Sequence, residues 1–145
     1  MIDFEYWIAN VVAACELIAS DEAFQKVWVN GDHTLTSIHY YDELYVQLTD
    51  GLRIKELIEE FSPRIGNRET LRVLREFAGF LLDLDRSIEK SPDLKDPATL
   101  LSSPQWKMFK ESAQKVVDLP YFQPYRGGRK DAQILKRLAE EKSLS

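Results

Sequence analysis

The sequence predicts an all-α fold: a single-domain irregular bundle of six to seven helices over residues 1–145. Apolar residues recur about every 3.6 positions through most of the chain, which is the period of an amphipathic helix. A capping serine, aspartate or asparagine precedes several of these periodic segments. A length of 145 residues fits one domain with one core.

Two helices are predicted before residue 32. Asp3 is expected to cap the first, which is apolar on most sides, as is typical of a helix at the centre of a core. Ser20 is expected to cap the second, and Gly31 suits its end because glycine readily adopts a left-handed conformation. The run Val27–Val29 could form a strand, but no convincing second strand lies nearby. The core side of the second helix is expected to carry Phe24, Val27 and Trp28.

Two further helices are predicted before Pro63. One begins at Ser37 or Tyr41 and ends at Gly51. The next runs over residues 54–61 and stops there, because the residue before a proline resists helical geometry. The apolar side of the first of these helices is formed by Ile38, Leu44, Tyr45 and Leu48.

The longest predicted helix spans residues 68–90 and is capped by Asn67. Gly79 lies inside it and costs about 1 kcal/mol relative to alanine. We expect close packing against another helix to explain that glycine.

The rest of the chain is predicted as a linker, a loop and two helices. In the linker, residues 91–106, Asp96 and Ser103 each stand before a proline, which is typical of a helix start. The second of these signals begins a helix. Prolines and paired glycines indicate an irregular loop over residues 119–130, and a last helix covers about residues 130–141.

Charge is distributed unevenly along the chain. Residues 1–62 contain 12 acids and 3 bases, a net charge of −9, whereas residues 63–145 contain 12 acids and 16 bases, a net charge of +4. Charge biases the choice of partner rather than the fold. The acidic half therefore favours a basic protein partner and disfavours nucleic acid.

The single cysteine, Cys15, lies among apolar residues at helical spacing and is expected to be a buried, unreactive thiol. The longest apolar run, Val11–Cys15, is far shorter than the roughly 20 residues that a membrane span needs. The N-terminus carries acids where an export signal would carry bases. These features predict a cytoplasmic location without membrane association.

The two histidines belong to a group of residue types that could bind a metal or transfer protons: Asp32, His33, His39 and Asp42. The histidines are six residues apart, across a predicted junction of loop and helix, whereas the zinc motif HExxH places them one helical turn apart. Two exposed histidines in a loop and cap also explain the pattern. A small metal-dependent or acid–base enzyme stays the alternative hypothesis, while the preferred interpretation has no metal, cofactor or catalytic residue.

Other chemistries have weaker signals. The sequence has no G-x-S-x-G turn of a serine hydrolase. Gly127–Gly128 lies between basic residues and could hold an anion, but it lacks the phosphate-binding loop pattern. A third option is an adaptor that binds nucleic acid, against which the overall charge argues. Its candidate residues are Arg126, Arg129, Lys130, Lys136 and Arg137.

Acids and tyrosines accumulate between residues 32 and 60. Tyrosine supplies a large contact area at low entropic cost and is enriched in interfaces, and carboxylates speed encounter with a basic partner. Tyr40 and Tyr45 could instead be core residues, with the acids conferring only solubility. The predicted contact residues are Asp32, Tyr41, Asp42, Glu43, Tyr45, Glu56, Glu59 and Glu60.

A resemblance accompanies this pattern. A tryptophan precedes Gly-Asp, a Thr-Ser step follows, and an aromatic residue then leads into Asp-Glu-Leu-Tyr; these are Trp28, Gly31–Asp32, Thr36–Ser37, Tyr41 and Asp42–Tyr45. The run of about 25 residues resembles a segment of small helical immunity proteins from bacterial contact-dependent inhibition and related polymorphic toxin systems.

The resemblance implies a cytoplasmic protein that binds one cognate toxin domain and performs no catalysis. Many such toxins are nucleases with basic substrate grooves, and an acidic immunity protein can occupy such a groove or a basic patch beside it. We therefore expect an inhibitor that acts by direct protein contact through an acidic, tyrosine-containing face.

Overall fold

Helices account for 86% of the residues that the structure describes, which confirms the all-α prediction. The computed structural model describes residues 3–20, 22–32 and 40–126, and no strand occurs within these ranges. They contain eight α-helices, more than the six to seven predicted, because short helices form where a linker or a stop was expected. The predicted last helix lies outside the described residues.

Helix α1 (Phe4–Ser20) begins as predicted, with the Tyr6 N–H donating to the Asp3 carboxylate over 3.2 Å. The prediction that Ser20 caps the next helix is wrong. Ser20 is the last residue of α1, and its hydroxyl donates instead to the carbonyl of Leu17. A serine hydroxyl bonds a carbonyl three or four residues earlier as readily as it caps a following turn.

Helix α2 (Glu22–Phe24) continues as a π-helical turn, Gln25–Val29, so the run read as a possible strand is helical. Phe24, Val27 and Trp28 are buried, as predicted. Gly31 follows with φ of +76°, a conformation that suits glycine because it has no Cβ.

Helix α3 (Tyr41–Val46) also continues as a π-helical turn, Gln47–Gly51, which ends at the predicted glycine. Helix α4 covers Ile54–Glu60. The prediction of a stop at Pro63 is incomplete, because a further short helix, α5 (Ser62–Ile65), follows at once. Proline is tolerated in the first turn of a helix, where its missing N–H would have no partner.

Helix α6 (Arg68–Lys90) is the longest, and the Asn67 side chain accepts from the N–H of Thr70 over 3.1 Å, as predicted. The explanation offered for Gly79 is wrong. This residue is exposed, and a Cβ built on it would meet no atom within 4 Å. No neighbouring helix therefore requires a glycine there.

The segment predicted as a linker is ordered into a 3₁₀ turn, Pro92–Lys95, and helix α7, Pro97–Leu101. Asp96 and Ser103 cap α7 and α8 (Pro104–Asp118) as predicted. The prediction of an irregular loop is wrong for its first part, because Pro120–Tyr125 forms a 3₁₀ turn that buries Phe122. Both the linker and the loop contain apolar side chains, and burying these side chains offsets the entropy lost when the backbone is fixed.

Helices α1, α6 and α8 form the centre of the core, with α8 contacting both of the others. A continuous series of aromatic rings runs through this core and out to α3. Successive ring centroids lie 4.3–6.5 Å apart, close enough for direct contact between the rings. The series consists of Phe77, Phe109, Trp106, Phe24, Trp28, Tyr41 and Tyr45.

Candidate functional site

The two tyrosines of α3 form the outer end of the aromatic series. Tyr41 and Tyr45 are half-buried, and their ring centroids are 6.2 Å apart. The Tyr41 ring also lies edge-on to Trp28, at 6.5 Å. Leu44, between the two tyrosines in the sequence, is fully buried, as predicted. Each tyrosine therefore packs against the core and is also partly exposed. Core packing and surface contact were considered as alternatives in the sequence-based prediction.

Two acids from the C-terminal half of α6, which no sequence pattern indicated, join these tyrosines. The Tyr41 hydroxyl donates to the Asp85 carboxylate over 3.3 Å. Glu89 lies one helical turn beyond Asp85, and both add negative charge beside Tyr45. We call this the α3 surface, and it consists of Tyr41, Asp42, Tyr45, Asp85 and Glu89.

Burial and neighbouring negative charge both raise pKa values on the α3 surface. The pKa of Asp85 is raised by burial and then by Glu89 and Asp42, although the hydrogen bond from Tyr41 acts in the opposite direction. The pKa of Tyr41 is raised by burial and by Asp85. In the part of the chain that the structure describes, no lysine or arginine forms an ion pair with the acids of this surface.

The acids of α4 have a different environment. Glu56 pairs with Arg53 over 2.9 Å. Glu59 accepts two hydrogen bonds from the guanidinium of Arg75 on α6, over 2.9 and 2.8 Å, and this partner lowers the pKa of Glu59. We call this the α4 surface, defined by Glu56, Glu59 and Glu60 with Arg53 and Arg75. It contains three of the predicted contact acids, two of which are compensated by arginine.

A groove of about 310 Å³ lies between α4 and α6, with Glu59 and Arg75 among its lining residues. Gly79 also lines this groove, which explains why its Cβ position is empty. The lack of a side chain at Gly79 therefore widens the groove, and it does not serve to let another helix pack closely.

A cavity of about 320 Å³ opens beside the α3 surface. Aromatic and aliphatic side chains form most of its wall, and one acid and one base complete the lining. Ligand pockets span about 300–1,000 Å³, so this volume lies at the small end of that range. The lining residues are Trp28, Tyr40, Tyr41, Asp42, Ile88, Leu94, Lys95, Pro97 and Leu100.

The remaining predicted contact residues are all at least partly exposed. Asp32 is exposed immediately after Gly31, and Glu43 is half-buried on α3. Glu60 is exposed at the end of α4. Tyr40, offered as a possible core residue, is 59% exposed, so it contributes to the surface.

Two of the four residues of the alternative metal or acid–base site are among the described residues. His33 and His39 lie outside the described residues, while Asp32 and Asp42 are both exposed. Within the described ranges, no group of three or more histidines, cysteines or acids is arranged to hold a metal ion. The four-residue metal or acid–base site therefore stays a prediction.

The basic segment proposed for nucleic acid lies mainly beyond residue 126. Arg126 is half-buried, and its guanidinium is 4.0 Å from the Asp118 carboxylate. Gly127–Gly128, Arg129, Lys130, Lys136 and Arg137 lie outside the described residues.

Comparison of the chain with protein-family models, curated proteins and solved structures gives no match. None of the helices in residues 3–20, 22–32 and 40–126 combines the length and the apolar character needed to cross a bilayer.

Proposed function

We propose that this chain is an immunity protein that binds and neutralises one cognate bacterial toxin domain in the cytoplasm. The toxin is a nuclease with a basic substrate groove, and inhibition follows from direct contact without catalysis. The resemblance of residues 28–52 to immunity proteins and the net charge of −9 in residues 1–62 both favour this function.

The observation that carries the proposal is the group of acids on the α3 surface. Asp42, Asp85 and Glu89 come from two helices and have no ion-pair partner among the described residues. Such an arrangement costs stability in the isolated protein, because like charges repel. A basic partner would reverse that cost and would be attracted from a distance.

The aromatic series supports the same surface. Tyr41 packs on Trp28 and is therefore held in place before a partner arrives. A side chain that is already ordered loses little conformational entropy on binding. Tyrosines ordered in this way, beside carboxylates that form no ion pair with another described residue, are favourable anchors for a protein interface.

Within this proposal the α3 surface provides the main contact, and the α4 surface is secondary. Arg53 and Arg75 already partner two of the acids on α4, so these acids attract a basic protein less strongly. Asp32, Glu43 and Glu60 remain predicted contacts.

The test begins with the product of the gene immediately upstream, expressed with and without this chain. We expect this chain to protect cells from that product, to form a stable complex with it and to inhibit its nuclease activity. Protection without a complex, or neither effect, would contradict the proposal.

Binding kinetics then locate the contact. The double change Asp42→Lys and Glu89→Lys should slow association by about tenfold or more at low salt, because electrostatic attraction accelerates encounter over that range. The change should also make association less dependent on salt.

The charge-matched control is Glu56→Lys with Glu59→Lys on the α4 surface, which alters the net charge equally. We expect it to slow association by less than about threefold, since exposed charges beyond a Debye length are screened. Equal effects of the two double variants would contradict the assignment to α3.

A further inference from the structure

The cavity beside α3 has the features of a site for one cationic side chain. Three aromatic residues, Trp28, Tyr40 and Tyr41, contribute to its wall. Aromatic rings carry negative charge on their faces and attract a cation within about 6 Å. Asp42 adds a carboxylate to the lining.

The electrostatic surroundings favour a cation over an anion. Asp85 bonds to the hydroxyl of Tyr41, one of the wall residues, and Glu89 follows Ile88, another wall residue. Asp85 and Glu89 are four residues apart and share a face of α6, whereas Arg86 and Lys90 fall on a neighbouring face. Lys95 is the single base among the lining residues that the structure describes.

The volume of about 320 Å³ limits the occupant to a small group. Arginine suits this space better than lysine, because its planar guanidinium stacks on aromatic rings and is weakly hydrated. It can also bond a carboxylate through two N–H groups at once.

We propose that the cavity between α3, α6 and α7 binds one arginine side chain of the protein partner as the anchor of the interface. This inference rests on the proposed function, because it names the chemical group through which the partner is held. It places the anchor in a defined cavity and predicts which substitutions strengthen or weaken it.

The first experiment tests the cavity without any partner protein. Blocked arginine, N-acetyl-arginine amide, is titrated while the indole N–H signal of Trp28 is followed by NMR. We expect saturable shifts at Trp28 with a millimolar dissociation constant. Trp7 serves as the internal reference, because it is fully buried and its indole N–H already donates to the Leu52 carbonyl over 2.7 Å.

Two control probes separate charge from shape. Blocked citrulline has nearly the same shape without the charge, and blocked glutamate has the opposite charge. We expect both to bind at least about fivefold more weakly, which corresponds to one contact between charges in water-like surroundings. Equal binding of citrulline, stronger binding of glutamate, or no shift with arginine would overturn the inference.

Two substitutions of the lining should act in opposite directions. Asp42→Asn should weaken arginine binding by roughly fivefold, and Lys95→Gln should strengthen it by up to a similar factor. Glu69→Gln is the matched control, because this exposed acid lies in the first turn of α6 whereas the cavity lies at the other end of that helix, and it should leave binding unchanged. Reversed signs for Asp42 and Lys95 would indicate an anionic occupant and would overturn the inference.

The outcomes separate this inference from the proposed function. If the upstream gene product forms a complex that Asp42→Asn and Lys95→Gln leave unchanged, the anchor is wrong and the immunity function stands. If arginine binds the cavity but no complex or protection is found, the immunity function is wrong and the cation site stands.

Discussion

The α3 and α4 surfaces are both acidic, but they differ in how their charge is balanced. On the α4 surface, Glu59 and Arg75 form a pair with two hydrogen bonds, and Glu56 pairs with Arg53. On the α3 surface, the charges of Glu89 and Asp42 add to burial in raising the pKa of Asp85, and no lysine or arginine among the described residues pairs with these acids. A count of acids along the sequence treats the two surfaces alike. The difference teaches that partners supplied by distant helices decide which acids can attract a basic protein.

The two surfaces also respond oppositely to pH. The folded pKa of Glu59 is lowered, so its contribution to stability is present above the unfolded pKa and is lost as the pH falls through the folded value. The folded pKa of Asp85 is raised, so the native state binds more protons in the window just above the unfolded pKa. Stability therefore falls as the pH rises through that window.

The largest expected effect concerns the support of the α3 surface. Trp28→Ala removes the ring that contacts Phe24, Trp106 and Tyr41. We expect the free energy of unfolding to fall by about 3–5 kcal/mol, as is usual when a buried aromatic side chain is truncated. Urea denaturation measures the change.

The matched control for that change is Val29→Ala, one residue further along the same π-helical turn. Val29 is 43% exposed, and its truncation should alter stability by less than about 0.5 kcal/mol. Similar losses from both variants would show that the turn itself, rather than the aromatic series, supports α3.

A smaller effect is expected in the groove beside the α4 surface. Gly79→Ala should raise the free energy of unfolding by about 0.5–1 kcal/mol, because the position is an exposed helix interior with free space for a Cβ. Thermal denaturation measures this gain. Binding of a partner through α3 should be unaffected, so a lost complex would show that the groove takes part.

Gly66→Ala is the control with the opposite sign. Gly66 ends α5 with φ of +64°, where an alanine side chain is strained. The variant should lose about 1–2 kcal/mol of stability. A gain at both glycines would point to an effect on the unfolded chain alone.

The smallest effect tests the crowding of charge on the α3 surface. Asp85→Asn keeps an acceptor for the Tyr41 hydroxyl but removes the repulsion with Glu89 one turn away. At neutral pH the free energy of unfolding should rise by about 0.2–0.5 kcal/mol, as for other like-charge pairs at this spacing. At a pH well below the aspartate pKa the gain should disappear.

Asp83→Asn supplies the comparison on the same helix, since Asp83 faces Arg86 at 3.8 Å. This variant should leave stability unchanged or lower it slightly at neutral pH. If Asp85→Asn were destabilising to the same degree, the repulsion assigned to the α3 surface would be wrong.

Sequence patterns predicted the helices well where a cap and an apolar stripe coincide. Asn67, Asp96 and Ser103 each cap the helix expected of them. Local hydrogen bonds of this kind are decided within four residues, so they can be read from the sequence. The prediction for Ser20 was wrong because its hydroxyl has a second local partner, the carbonyl of Leu17.

The less predictable parts depend on contacts between distant residues. Phe122 is fully buried in a segment whose prolines indicated a loop, because burial and not local propensity orders it. Likewise, the roles of Asp85 and Arg75 appear only when α6 packs against α3 and α4. Candidate contact residues could be predicted from the clustering of acids and tyrosines in the sequence. Which of these acids have an arginine partner depends on how the helices pack, so it could not be predicted.

The burial of Cys15 has a practical consequence. It is the single thiol of the chain, it is fully enclosed by α1 and its neighbours, and burial raises its pKa far above the usual range. A thiol held in the protonated form resists alkylation and disulfide exchange at neutral pH. A cysteine introduced at an exposed position such as Asp42 would therefore accept a fluorophore selectively, without first removing the native one.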